Sequence, residues 1–178
     1  MRVSHKVTID APASAVWDLL GEPSLYPRFL RDVTHAEPDN IKANYTLALA
    51  YRAKRDLAQN APADFEKNNK DMKESYVRAL SGRAFTDDDY TTQGNAAFEL
   101  DGLRQPNALH AALALYDQAL RINPHAVYAL SGRADVYKKS RHYQLAVENY
   151  NAARRLHPHD KELLQRLTEA RTLLAFGG

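Results

Sequence analysis

Cysteine is absent from this chain of 178 residues. That excludes disulfides, thiol nucleophiles and thiolate metal ligands, and it fits a reducing compartment. No apolar run approaches the ~20 residues needed to span a bilayer, and the opening MRVSHKVTID carries no apolar signal core. The expected location is cytoplasmic. Charge of one sign is lacking too: 24 Lys and Arg against 22 Asp and Glu leave a net charge of +2. Nothing in that balance draws the chain to nucleic acid or to a membrane surface. The remaining composition, 44% hydrophobic and 26% charged, is that of a globular protein.

Motifs that carry chemistry are also missing. There is no HExxH and no GxSxG around Ser81 or Ser131, and Gly94 has no glycine partners for a phosphate loop. His157 and His159 flank Pro158 in a turn without the further ligands that zinc requires. His110, His125 and His142 fall at or near helix ends. Asp87-Asp88-Asp89 lacks the alternation of a calcium loop and suits the first turn of a helix. No enzyme, no cofactor and no metal is expected.

What is present is a reused phrase. ALSGRA occurs at 79–84 and again at 129–134. If the copies marked equal registers, Tyr137, Tyr150 and Pro158 would have counterparts at Asp87, Leu100 and Ala108; they do not. The first copy closes a helix near Gly82 and the second lies inside one. A different repeat underlies them. Leu130, Ala134 and Tyr137 share one helical face, Ala146, Tyr150 and Ala153 share another, and Ser140-Arg141-His142 is the turn between. Small alanines let the two helices approach closely, the tyrosines fill the space beside them, and Pro158 ends the second helix.

Residues 127–160 thereby resemble a tetratricopeptide (TPR) repeat, a helix-turn-helix unit of about 34 residues. Arg133 departs from it where leucine is usual, and its stem can cover apolar surface. The preceding unit pairs TTQGNAAFELDG, with Gly94 small and Phe98 large, with HAALALYDQALRINP, where Ala112, Tyr116 and Ala119 repeat the second-helix pattern. About six extra residues, Leu103 to Ala108, join its halves. The first unit follows Pro38: Leu47, Ala48 and Tyr51 mark one helix, and Asp64 to Ser81, with Tyr76 and Ala79, a second. About twelve extra residues, around Asn60-Ala61-Pro62, separate them. Residues 161–175 complete the array as an amphipathic cap with Leu163, Leu164, Leu167 and Leu174 as its buried stripe. The expected fold is mostly α, a TPR-like solenoid of about three distorted repeats over 36–178.

Residues 1–35 have another texture. Val3, His5, Val7 and Ile9 alternate as in a strand, and Asp10-Ala11-Pro12 breaks it before Val16, Trp17, Leu19 and Leu20. This resembles the opening of a START-like, polyketide-cyclase (helix-grip) domain, without the long sheet that would enclose a ligand. An isolated strand must pair with a copy of itself, borrow another edge or stay disordered, and the first of these would make a homodimer.

The TPR resemblance implies groove-facing positions on the first helix of each unit. They are Lys42, Tyr45, Leu49 and Arg52; then Asp88, Thr91, Asn95 and Phe98; then Tyr128, Ser131, Asp135 and Lys138. Some members of the family clamp a terminal carboxylate with two lysines or arginines and two asparagines. Here only Asn95 matches such a position, and Asp135 would repel the anion, so no clamp is expected. The implied function is a non-enzymatic module that binds a protein or peptide partner, with no nucleic acid and no membrane involved. The alternatives are a hydrophobic-ligand or lipid binder related to START-like domains, or a chimera without an evolved ligand.

Overall fold

The computed structural model describes residues 39–177. The alternating stretch Val3–Ile9, the START-like opening and the dimer expected through it lie outside that range. Seven helices follow one another among the described residues: α1 Ile41–Leu57, α2 Pro62–Ser81, α3 Asp87–Gly102, α4 Ala108–Ile122, α5 Val127–Lys139, α6 Tyr143–Leu156 and α7 Lys161–Phe176. They pack as three hairpins, α1 with α2, α3 with α4 and α5 with α6, and α7 closes against α6. Across hairpins α1 touches α3 and α3 touches α5, so the first helices stand side by side. This is the expected solenoid, with the hexapeptide copies in the two contexts read from sequence, one ending α2 and one inside α5.

Local chemistry sets the helix ends. Asn40 caps α1 by accepting from the Ala43 amide at 2.9 Å. Pro62 opens α2, where its missing N–H costs nothing. The aspartate run occupies the first turn of α3, and Thr86 and Asp89 form a reciprocal capping box. Backbone donors at Phe85 and Thr86 overcome the modest burial of Asp89 and hold its carboxyl below the usual range. Asp160 caps α7 by accepting from the Glu162 and Leu163 amides at 2.9 and 3.1 Å.

Each hairpin buries one tyrosine among alanines. Tyr76 lies with Ala48, Ala79 and Leu100; Tyr116 with Ala97, Ala112 and Ala119; Tyr150 with Ala134, Ala146 and Ala153. All three are at most 1% exposed, and each ring's burial is worth on the order of 3 kcal/mol. Tyr116 needs two glycines beside it. A Cβ on Gly94 would stand 2.6 Å from its ring, and one on Gly132 2.4 Å. Gly82 does close α2, but in extended backbone (φ −66°, ψ 153°). Its smallness serves packing, since a Cβ would meet Ile41 at 2.5 Å.

The structure corrects two sequence expectations and adds to a third. The extra length of the first unit is helix and not loop: α1 and α2 have 17 and 20 residues, against 13 and 14 for α5 and α6. In α7, Leu163 and Leu167 are buried, but Leu164 and Leu174 are 47% and 40% exposed and Ala170 takes the third buried place. Leu164 stands about 100° round the helix from Leu163 and so falls off the i, i+4, i+7 line of Leu163, Leu167 and Ala170, while Leu174 returns to that line but lies in the final turns, past the last buried residue. Arg133 does more than cover apolar surface: it donates to Asn149 at 2.8 Å and to Asp117 at 2.7 Å, tying α5 to α6 and α4.

Candidate functional site

The sequence-predicted positions lie along α1, α3 and α5, and many are already engaged. Lys42 pairs with Asp88 across α1 and α3. The hydrogen bond to Asp88 outweighs partial burial and raises its pKa. Arg52 pairs with Glu99 at 2.9 Å, and that neighbour offsets burial to keep the guanidinium charged. Thr91 turns its hydroxyl back to the Asp87 carbonyl at 2.7 Å. Ser131 does likewise to Tyr128 at 3.1 Å. Lys138 reaches Glu169 at 3.2 Å.

Asn95 and Asp135 serve the core as much as any groove. Tyr116 donates to Asn95 Oδ1 at 2.7 Å, and Tyr150 donates to the Asp135 carboxylate. Allowing for the six and twelve extra residues, Asn95, Asp135 and Leu49 occupy one repeat position, and Tyr116, Tyr150 and Tyr76 another. Leu49 offers no acceptor, and the buried Tyr76 hydroxyl has no protein partner. Burial drives all three phenol pKa values upward.

Six of the twelve positions converge. Tyr45, Asn95, Phe98, Tyr128, Ser131 and Asp135 line one cavity of about 280 Å³. Tyr45 is half-buried, its ring 5.8 Å from that of Tyr76, and burial beside Glu99 pushes its pKa up to about 12. Tyr128 is 72% exposed on the rim. Lys138 lines an adjoining cavity of about 650 Å³ that shares Phe98 and Asp135. Lys42, Leu49, Arg52, Asp88 and Thr91 line neither.

The far wall was missed in sequence. It is α7 with its cap: Asp160, Glu162, Leu163 and Arg166 face the smaller cavity, and Glu169 and Thr172 the larger. Arg166 joins Asp135 at 2.6 Å and also binds Glu162, fastening α7 to α5. These two acids outweigh burial and raise its pKa. The signal was available. A period of about 34 residues carried past Tyr128, Asp135 and Lys138 reaches Glu162, Glu169 and Thr172. The terminal helix therefore occupies the place of a further first helix. Among the described residues no group of three His, Cys, Asp or Glu could hold a metal ion, and no helix is long and apolar enough to cross a membrane.

Successive alanine-and-tyrosine hairpins with aligned first helices define a TPR-like fold. Solved structures share it. The first TPR of Spaghetti (RPAP3), bound to the HSP90 peptide SRMEEVD, matches with a TM-score of 0.50 and 17% identity over 72% of this chain and 93% of its own. Two crystal structures of MamA match with TM-scores of 0.51 and 0.50. They are 19% and 20% identical, over 93% and 89% of this chain and 84% and 74% of theirs. No family model matches the sequence, and no curated protein does. The START-like resemblance therefore has no support beyond the residues that suggested it.

Proposed function

We propose that residues 36–178 form a non-enzymatic interaction module that holds a segment of a peptide or protein partner in the trough between α1, α3, α5 and α7. The observation that carries this reading is Tyr128, a large aromatic left 72% exposed on the rim of a cavity shared by three hairpins. Exposed tyrosines beside a concave wall supply contact area at low ordering cost. The HSP90 peptide on the first TPR of Spaghetti is a precedent for a peptide held by this fold. That peptide's chemistry does not carry over. Asn95, the one matching clamp residue, already accepts a hydrogen bond at Oδ1 from Tyr116, and Asp135 opposes a carboxylate.

The test is selection of decapeptides from a random display library on the full chain. We expect binders whose affinity falls about 10-fold with Tyr128→Ala, the effect of losing ~1.4 kcal/mol at an anchoring aromatic. A library that yields no binder, or binders indifferent to both Tyr128→Ala and Phe98→Ala, overturns the reading.

A further inference from the structure

Resting on that reading, we infer that the smaller cavity takes a cationic side chain of the bound segment, a lysine or an arginine. Four carboxylates face this cavity, Glu99, Asp135, Asp160 and Glu162, and one cation, Arg166; Arg52, 2.9 Å from Glu99, and Lys138, 3.9 Å from Asp135, also pair with two of them, so the acids outnumber the bases by four to three. The whole chain carries a net charge of +2, so the local excess of negative charge runs against the molecule's own balance. A concave surface with one prevailing sign focuses its field on whatever enters. The rest of the lining suits an alkylammonium or guanidinium: Tyr45 and Tyr128 line it, and aromatic rings attract cations and pack against their stems.

The trough already holds one cation in this manner. Lys139 lies 2.6 Å from Asp101 and 4.9 Å from the centre of the Phe98 ring. A carboxylate and an aromatic face together therefore fix an ammonium on the neighbouring wall. An acidic segment would meet Asp135, whose side chain is only 18% exposed, and Glu162 at the mouth. Repulsion at a partly desolvated carboxylate is felt more strongly than on an open surface.

The experiment uses four display pools of random decapeptides that differ in one fixed central residue, Arg, Lys, Gln or Glu, panned on the full chain. We expect at least 10-fold enrichment of the Arg and Lys pools over the Glu pool. The selected basic peptides should weaken about 10-fold with Glu162→Lys and with higher salt. Glu162 has a 70% exposed side chain, so folding of this variant is readily checked by circular dichroism; Glu99→Gln, at the opposite wall, gives a second and milder test. Enrichment confined to the Gln or Glu pools overturns the inference and leaves the trough as a binding surface. Basic binders indifferent to both substitutions also overturn it, because they bind elsewhere. No binder in any pool defeats the proposed function itself.

Discussion

Tyr116 sits where two first helices and one second helix meet, and it does so because Gly94 and Gly132 have no side chains. In an exposed helix interior, Gly→Ala gains about 1 kcal/mol from propensity. Here the added methyl collides with a fully buried ring, and overpacking of that kind costs about 1–3 kcal/mol. Gly94→Ala and Gly132→Ala should each lower the midpoint of chemical unfolding. Gly102, at the end of α3, has nothing within 4 Å of its would-be Cβ, so Gly102→Ala should raise the midpoint slightly. A gain at all three glycines would mean that the tyrosine is not wedged between the helices. The glycines were legible in sequence as small residues. Which ring they admit was not, since Gly94 and Gly132 lie on different hairpins and Tyr116 follows one and precedes the other.

At the scale of the helical hairpin, the tyrosine-to-acceptor bond is a device present twice and broken once. Tyr116 has Asn95 and Tyr150 has Asp135, whereas the Tyr76 hydroxyl has no partner, and the repeat position of those acceptors is held by Leu49. Removing a buried hydroxyl that is bonded costs about 1–3 kcal/mol through the acceptor left behind, while removing an unpaired one is close to neutral. Tyr116→Phe and Tyr150→Phe should therefore destabilise, and Tyr76→Phe should not. Installing Leu49→Asn should make Tyr76→Phe costly, and a double-mutant cycle reads the coupling as about 0.5–1.5 kcal/mol. Equal losses for all three phenylalanine variants in the parent chain would refute the device. The hairpins themselves were readable from alanine and tyrosine spacing. The second helix of the first hairpin was read over Asp64 to Ser81, close to the observed Pro62–Ser81, whereas the extent of α1 to Leu57 was not, because only packing on α2 decides where it ends. Gln93 was equally silent in sequence. Its amide donates to the carbonyls of Ala79, Leu80 and Gly82 at 3.2, 3.0 and 2.7 Å, closing the end of α2 from the next hairpin.

For the whole molecule, the buried tyrosines make stability depend on alkaline pH. Tyr45 is raised to about 12, and Tyr76, Tyr116 and Tyr150 also stand above the ordinary value of 10.0, all chiefly through burial. A group raised in the folded state contributes stability that is complete below its unfolded value and is lost as pH climbs through the folded one. Thermal melts followed by circular dichroism should hold steady up to about pH 10 and fall between pH 10 and 12. The raised Lys42, paired with Asp88, acts with the same sign. A melting temperature unchanged across that window would show that the phenols ionise without unfolding the core.

Alanine and tyrosine at helical spacing determined by themselves that this chain folds as stacked hairpins, because only small residues opposite large ones let neighbouring helices nest. The first-helix positions along the proposed trough were those that the TPR resemblance implies. Tertiary structure alone decided which of those side chains remain open to a partner. Lys42, Arg52, Asn95 and Asp135 are drawn into bonds with residues far along the chain, and Tyr128 is left exposed. Tertiary structure also turned the terminal helix into a wall carrying Glu162 and Arg166. Spacing specifies the face on which a side chain stands, but its pairing depends on charges that approach only once the helices have packed.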